Sequence, residues 1–528
     1  MSSQDSSLVQ RGLAALVIVL LVSVLPACAR ATPAPLPTLA AEAVAAPTEA
    51  VAAPTQAPAA PTQAPAAPTE AAATSTPPPP TATPEPEADQ ASAPLGALNR
   101  DGPWLVFAAP DGLWALDADG SDLTQLTRRP LVAPGDLRTA VSPRGGQLAF
   151  ITAADPQLWK DLALELLRLP GGQIETVTPL ASATAEAGLE AGPDAPAFQA
   201  LRAVAELPSL AWSPNGQQVA FMSVHEGPSS DLYVYSIEDS HLTRLTDGPS
   251  QGFRPSWSPD GKYIVHAGAE SFGTGAGYSM AGMWAARADG SEVKSLYTPS
   301  SGDEVVIGWS APDTFVVYSW SSDCGARTLR TFNVESSQVG LLWEDYFNEV
   351  ALDPASGGVL LAVDKLVASC NPGGQAGVFL VTPGEGAVRR VAGFEASALS
   401  WSPDAGVFLL QAQEVVWTVT LGGELTPLPG PAVPLLTAPP LAAPAGQGWA
   451  WSTTEEQGQP GVWVGKGEGD PLQVSSLPAD EAVWGTGGQS LFFWADGGLY
   501  RASGPDFSPE LVIEGVQISP QGAVWVWP

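Results

Sequence analysis

The chain has 528 residues, of which 45% are hydrophobic, so a sizeable core can form. Its 55 acidic residues outnumber 22 basic residues and give a net charge of −33. This balance argues against nucleic acid or an anionic membrane surface as the main partner, because both attract basic patches.

Residues 1–27 predict a lipoprotein signal peptide. Arg11 closes a short polar segment, and an apolar run from Gly12 to Leu25 follows, too short for a membrane span of roughly 20 residues. The run ends in LPAC, which resembles the bacterial lipobox. The resemblance implies that Cys28 is lipidated and tethers the protein to a membrane. An ordinary signal peptide with an incidental cysteine is the alternative.

Residues 28–98 predict a disordered, lipid-anchored linker. The segment is rich in Ala, Pro and Thr and has too few apolar residues to offset the entropy lost on folding. Proline-rich chains extend at roughly 3.1 Å per residue, so the linker would reach on the order of 200 Å. We expect it to hold the following domain away from the membrane.

Residues 99–528 contain a repeated phrase. AWSPNGQQVAF at 211–221 and SWSPDGKYIVH at 256–266 are its clearest copies, and related segments recur at intervals of about 35 to 50 residues. Ser-Pro-Asp-Gly suits a type I turn between two strands, a and b. A second phrase, ADGS followed by LT, predicts another tight turn between strands c and d. Four strands per repeat are typical of a β-propeller blade.

The phrases WSPDG and ADGS…LT also resemble the repeat of TolB-like propellers. The predicted fold is all-β, a single propeller of about eight four-stranded blades, with seven to nine allowed. We expect 517–528 to supply strands a and b, and 103–127 strands b, c and d, of one blade that both segments complete. Trp212, Trp257 and Trp401 are expected to pack between blades. TolB-type propellers are extracytoplasmic and bind envelope proteins, which is what the resemblance implies here.

The two faces of the predicted disc differ. The a–b and c–d turns lie on one face, here named the turn face, and are all tight. The b–c and d–a connections lie on the other, the loop face, which holds the long loops at 153–161, 178–207, 224–231, 267–282, 321–326, 364–377 and 428–440. Binding usually occurs in long loops on a rigid scaffold, so the loop face is the predicted contact surface.

Aromatic, methionine and acidic residues of these loops are the candidate partner-binding residues. They are Phe272, Tyr278, Met280, Met283, Trp320 and Asp323. Exposed aromatics and Met are favoured at interfaces. The alternative is that these side chains cover the core beneath their own loops.

The three cysteines suggest one disulfide. With Cys28 lipidated, Cys324 and Cys370 remain, both in b–c loops on the loop face. Disulfides persist in exported proteins, so we predict that these two residues are bridged. No histidine is near either cysteine, and neither a metal nor a cofactor is expected.

The sequence also predicts that the chain is not an enzyme. GPSQG at 248–252 matches the nucleophile motif G-x-S-x-G, but a strand pattern follows it where that motif requires a helix. Prolyl oligopeptidase-type peptidases pair a similar propeller with a hydrolase domain, for which no residues remain.

The predicted function is therefore binding of a protein partner at the cell envelope. The alternative is a surface glycan or a role as accessory to a polysaccharide system. The protein is expected to be a monomer, anchored by its lipid at the cell surface or in the periplasm.

Overall fold

A computed structural model describes residues 98, 101–132, 137–248, 250–272, 278–297, 304–320, 327–370, 374–382, 387–432, 438–444, 448–454, 459–466, 469–519 and 522–528. The predicted signal peptide and Cys28 lie outside these residues, as does the predicted linker apart from its last residue. Within the described ranges, no helix is both long enough and apolar enough to cross a membrane.

Nine antiparallel sheets follow one another along the described chain, eight with four strands and one with three. Each sheet is one blade, whose strands run from a at the channel to d at the rim. The strands of blade 1 are β1 (Trp104–Ala109), β2 (Gly112–Asp117), β3 (Thr124–Thr127) and, from the far end of the chain, β35 (Ala523–Val526). Those of blade 2 are β4 (Gln147–Thr152), β5 (Ala163–Arg168) and β6 (Gln173–Pro179).

Blades 3 to 5 have complete sets of four strands. Blade 3 consists of β7 (Leu210–Trp212), β8 (Gln218–Ser223), β9 (Asp231–Ser236) and β10 (His241–Arg244). Blade 4 consists of β11 (Gln251–Trp257), β12 (Tyr263–Phe272), β13 (Tyr278–Arg287) and β14 (Val293–Tyr297). Blade 5 consists of β15 (Glu304–Ala311), β16 (Thr314–Trp320), β17 (Arg327–Asn333) and β18 (Val339–Phe347).

Blades 6 to 9 repeat this arrangement. Blade 6 consists of β19 (Glu349–Leu352), β20 (Val359–Val363), β21 (Gly377–Thr382) and β22 (Ala387–Ala392). Blade 7 consists of β23 (Ala398–Ser402), β24 (Val407–Ala412), β25 (Val415–Val419) and β26 (Leu425–Pro427). Blade 8 consists of β27 (Leu441–Ala442), β28 (Trp449–Thr453), β29 (Gly461–Gly465) and β30 (Leu472–Ser475). Blade 9 consists of β31 (Ala479–Trp484), β32 (Ser490–Ala495), β33 (Gly498–Ser503) and β34 (Ser508–Glu514).

The described residues also contain five helical segments, all outside the regular blade strands. They are α1 (Leu137–Ala140), α2 (Ala183–Ala187), a 3₁₀ turn (Gly188–Ala191), α3 (Pro196–Glu206) and α4 (Lys365–Cys370). Helix α1 takes the place of strand a in blade 2, where a single bridge between Val141 and Leu148 follows it.

These findings confirm the all-β single propeller. Nine blades lie at the upper end of the predicted range of seven to nine, one more than the eight expected. Both ends of the described chain complete blade 1, as predicted, because β35 pairs with β1. The division of strands differs from the prediction, since the end of the chain supplies only strand a. The phrase QISPQG precedes that strand and belongs to the connection from blade 9.

The Ser-Pro-Asp-Gly turn has the geometry that its sequence predicts. Before β12, the hydroxyl of Ser258 donates to Asp260 Oδ1 (2.8 Å) and accepts from the backbone N–H of Tyr263 (2.9 Å). Gly261 has a φ of +71°, a conformation that residues with side chains rarely adopt. The repeated phrase is therefore a device that joins strands a and b.

Tryptophans hold neighbouring blades together. At five seams, an indole N–H from strand a donates to the inner segment of the preceding blade. The pairs are Trp212 Nε1 to Ala140 O (2.7 Å), Trp257 Nε1 to Ala211 O (3.0 Å), Trp309 Nε1 to Ser256 Oγ (3.0 Å), Trp484 Nε1 to Leu441 O (3.0 Å) and Trp525 Nε1 to Trp484 O (2.6 Å). Trp401 packs against an apolar cluster that blades 6 and 7 share. The predicted packing of Trp212, Trp257 and Trp401 between blades is confirmed.

Candidate binding surfaces on the two faces

The predicted partner-binding residues occupy strands more than loops. The segment 267–282 was expected to be a loop, but most of it extends β12 and β13 as a long hairpin. The backbones of Phe272, Tyr278 and Met280 lie in that hairpin, and the backbone of Trp320 ends β16. The side chains of these four residues, and the whole of Asp323, lie outside the described residues.

Met283 is a correction to the prediction. Its side chain is fully buried, in an apolar cluster with Tyr263, Val265 and Phe315 that joins blades 4 and 5. A residue without exposed surface cannot contact a partner. For Met283, the alternative of a core side chain beneath its own hairpin is therefore the one observed.

A groove of about 480 Å³ opens on the loop face between blades 6 and 7. Its lining combines an aromatic ring with amide and charged side chains, among them Asn348, Asp364, Lys365, Phe394, Glu395 and Gln413. All of these residues belong to b–c or d–a connections. Of these residues, Asp364 and Lys365 lie in the predicted long loop 364–377, and the other four lie in connections that the sequence analysis did not single out.

Helix α4 forms one wall of this groove and is held at both ends. Asp364 caps its start, accepting from the backbone N–H of Val367 (2.7 Å). The ammonium of Lys365 lies 3.1 Å from Glu395 Oε1, across the groove. Cys370, at its end, is disulfide-bonded. Its predicted partner Cys324 lies outside the described residues, so that pairing stays a prediction.

The exposed residues of α4 are Lys365, Leu366 and Ser369. Leu366 is 70% exposed, more than any other large hydrophobic residue described. It stands next to the charged rim formed by Lys365 and Glu395. A singly exposed leucine is common on protein surfaces, and it is the adjoining groove that makes this site a candidate contact surface.

An ion cluster connects the b–c loop of blade 3 to the segment that follows its last strand. Arg244 reaches Asp231 Oδ2 (2.8 Å), Glu226 Oε2 (3.0 Å) and Asp247 Oδ1 (2.7 Å). Asp231 is buried and also accepts from the hydroxyl of Thr246 and the backbone N–H of Gly248, both at 3.1 Å. The carboxylate is thus fully engaged in holding the loop.

Burial changes the acid–base behaviour of two nearby groups. Loss of solvent raises the pKa of Tyr233 to about 12. It lowers the pKa of His266 to about 4, because the charged imidazolium is disfavoured in the core. The ring of His266 stacks on Trp284 at 5.8 Å, and its Nε2 has no hydrogen-bond partner among the described residues.

The G-x-S-x-G motif does not form a nucleophile elbow. Strand β11 begins at the residue after Ser250, where an elbow would continue into a helix. This confirms the sequence interpretation of GPSQG as a connection between blades. Among the described residues, no group of three or more His, Cys, Asp or Glu could hold a metal ion.

The turn face carries a feature that the sequence analysis missed. A cavity of about 410 Å³ lies in the central channel, lined by inner segments of blades 7, 8, 9, 1 and 2. It reaches the turn face, since the a–b turn residues Pro403, Asp404 and Thr486 line it. These segments are spread over 138–527, so no local pattern could have revealed the cavity.

Tryptophans and prolines make up much of the cavity lining. They are Trp401, Trp484, Trp525, Trp527, Pro403, Pro439, Pro440 and Pro444. Arg138 Nη2 lies 2.8 Å from Glu481 Oε1, an ion pair from α1 to blade 9. The helical turn that replaces strand a of blade 2 is what places this arginine in the channel.

Comparisons with known proteins agree with a propeller. TolB from Acinetobacter baumannii is among the similar solved structures, with 16% identity, a TM-score of 0.28, and coverage of 54% of this chain and 64% of that one. The chain is a β-propeller similar to TolB. The predicted resemblance to TolB-like propellers is confirmed as a propeller fold, which rests on the nine sheets described above. No family model matches the chain.

Two curated relatives match short parts of the chain. Uncharacterized peptidase YuxL from Bacillus subtilis is 44% identical over 54 residues, 10% of this chain and 8% of YuxL. Uncharacterized protein Atu1656 from Agrobacterium fabrum is 30% identical over 112 residues, 21% of this chain and 36% of the relative. The chain therefore spans well under half the length of either relative.

The prediction that the chain is not an enzyme is wrong, because one of the curated relatives it matches carries the name of an enzyme. YuxL is named as a peptidase. Dipeptidyl peptidase 4 from Porphyromonas gingivalis is a similar solved structure, with 13% identity, a TM-score of 0.44, and coverage of 72% of this chain and 60% of that one. Oligogalacturonate lyase is another, with 12% identity, a TM-score of 0.36, and coverage of 61% and 88%.

Proposed function

We propose that this chain is an exported, lipid-anchored propeller that binds a protein partner at the cell envelope through its loop face. The observation that carries the proposal is Leu366, 70% exposed on a helix fixed by a disulfide and beside a groove of about 480 Å³. Because α4 is already ordered, a partner would bind it without a large entropic cost.

The proposed cellular location rests on the first 98 residues. The apolar run ending in LPAC supports export and lipidation at Cys28, and the Ala-, Pro- and Thr-rich segment that follows supports a tether. Replacing Cys28 with Ala should release the protein from the membrane fraction. Unchanged membrane association of that variant would overturn the anchor.

The binding face is tested by pull-down after cross-linking of intact cells. Leu366→Ser should abolish capture of a specific envelope protein, since it places a polar group at the centre of the patch. The matched control is Leu421→Ser, which changes a 43% exposed leucine in a c–d turn on the opposite face. Loss of capture in the control, or its retention in Leu366→Ser, would contradict the proposal.

The match to a peptidase favours a second candidate, hydrolysis of peptides. The G-x-S-x-G motif does not supply the nucleophile, because strand β11 follows Ser250 directly. The purified chain is assayed on a labelled casein substrate at several chain concentrations. Release of label in proportion to the chain concentration would support this candidate, and absence of release would remove it.

A further inference from the structure

The cavity in the central channel reaches the turn face, opposite the proposed protein-binding patch, and its lining also includes Pro439 and Pro440 of the segment 428–440. From its lining, we propose that this cavity binds a neutral saccharide of one or two rings. The proposal is independent of the protein partner, because no residue of the cavity lining belongs to the loop-face groove. Its volume of about 410 Å³ lies within the range of about 300–1,000 Å³ that small-molecule sites occupy.

Trp527 provides the exposed indole of the cavity, whereas Trp484 and Trp525 are buried at the blade seams, 4% and 8% exposed, and form its fixed wall. Trp525 donates its indole N–H to Trp484 O (2.6 Å), and Trp484 in turn donates to Leu441 O (3.0 Å). The indole of Trp527 stands at the rim and is 51% exposed. Rigid indoles offer large apolar contact areas at low entropic cost, and the C–H face of a pyranose ring is the complementary surface.

The polar groups of the lining suit hydroxyl groups. A sugar hydroxyl both donates and accepts, so it needs donors and acceptors side by side. The guanidinium of Arg138 provides several N–H donors, and the carboxylate of Glu481, 2.8 Å away, provides acceptors. The pair is only partly buried, with side-chain exposures of 49% and 21%, so ligand hydroxyls can reach it.

The charge of the lining disfavours other ligand classes. Its charged residues are one cation, Arg138, and two carboxylates, Asp404 and Glu481. An anionic ligand would meet net negative charge and is disfavoured. A purely apolar ligand would desolvate the ion pair without replacing its contacts with water, which is costly. A neutral polyhydroxylated ring avoids both penalties.

The test is saturation-transfer NMR on the full chain with a defined panel. The neutral probes are glucose, galactose, mannose, N-acetylglucosamine, cellobiose and chitobiose, and galacturonate is the charged comparator. At least one neutral probe should give a saturable signal, stronger than that of galacturonate. Its affinity should fall by at least about tenfold in Trp527→Ala, because the rim ring is removed.

Two further variants make the result decisive. Arg138→Met retains the aliphatic part of the side chain but removes the guanidinium N–H donors. It should also weaken binding. Leu366→Ser, on the other face, should bind the sugar as the unmodified chain does. Melting temperatures establish that each variant is folded. Absence of a signal from every neutral probe, or binding that survives both Trp527→Ala and Arg138→Met, would overturn the proposal.

Discussion

At the scale of single residues, hydrogen bonds from tryptophan define the seams of the ring. Each donor is a bulky side chain that fills the space between two blades and also satisfies a polar acceptor on the preceding blade. Trp257, for example, is only 6% exposed and lies 3.0 Å from Ala211 O. Its removal leaves a carbonyl without that donor inside the protein, which is more costly than the loss of an exposed contact.

We therefore expect Trp257→Phe to lower the free energy of unfolding by about 2 kcal/mol, from lost packing and an unsatisfied acceptor. Urea denaturation followed by fluorescence measures this change. The matched control is Trp527→Phe at the 51% exposed position, which should change stability by less than about 0.5 kcal/mol. Equal effects of the two substitutions would contradict the seam account.

His266 makes stability depend on pH. Its pKa in the folded protein is about 4, below the value of 6.5 expected for an unfolded chain. Between these values the unfolded chain takes up a proton that the folded protein does not, so stability falls as the pH falls. At pH 4, this costs up to about 3 kcal/mol relative to neutral pH.

His266→Phe retains a ring against Trp284 and removes the titration. Both proteins are compared by how far the free energy of unfolding falls between pH 7 and pH 4. That fall should be about 3 kcal/mol smaller in His266→Phe than in the unmodified protein. Burial raises the pKa of Glu165 and of Glu349, which acts in the opposite direction but equally in both proteins. If the two proteins gave parallel curves of unfolding free energy against pH in urea titrations, His266 would not be the source of the pH dependence.

At the scale of elements, closure of the ring depends on one short strand. Strand β35 pairs with β1, whose six residues are all buried. Without β35, the inner edge of blade 1 would be an unpaired apolar strand facing the channel. The last strand of the chain is therefore expected to be essential for a soluble fold.

Deleting residues 523–528 should produce aggregation and loss of a cooperative thermal transition. Size-exclusion chromatography and circular dichroism on melting measure both. As a control, deletion of 1–97, which lies outside the described residues, should leave the transition in place. A soluble form lacking 523–528 with an unchanged melting temperature would contradict this role of β35.

Strand pairs could be predicted from the sequence where the turn between them is stabilised by contacts among neighbouring residues. Ser258 and Asp260 make the contacts that Ser-Pro-Asp-Gly implies, so the repeat could be identified from one strand pair. The same pattern at 517–522 predicted a turn between strands a and b of blade 1, but only strand a, β35, comes from this end of the chain. The segment 267–282 is rich in Gly and Ser and was expected to be a loop, but pairing between β12 and β13 outweighs that local preference.

At the scale of the whole molecule, the two faces differ in the kind of surface they present. The loop face has an ordered helix with an exposed leucine beside charged groups, and the turn face has a channel cavity lined by indoles. The sequence predicted the first face, because long loops are visible in it. The second could not be predicted, since its lining comes together only when five blades close the ring.

The central claim is that α4 on the loop face is the protein-binding surface. The most direct test is a photo-cross-linking amino acid introduced at position 366 and, separately, at position 421, in intact cells. Our account predicts a discrete cross-linked product containing one envelope protein from position 366 and none from position 421. A product from position 421 alone, or no product from position 366, would contradict it.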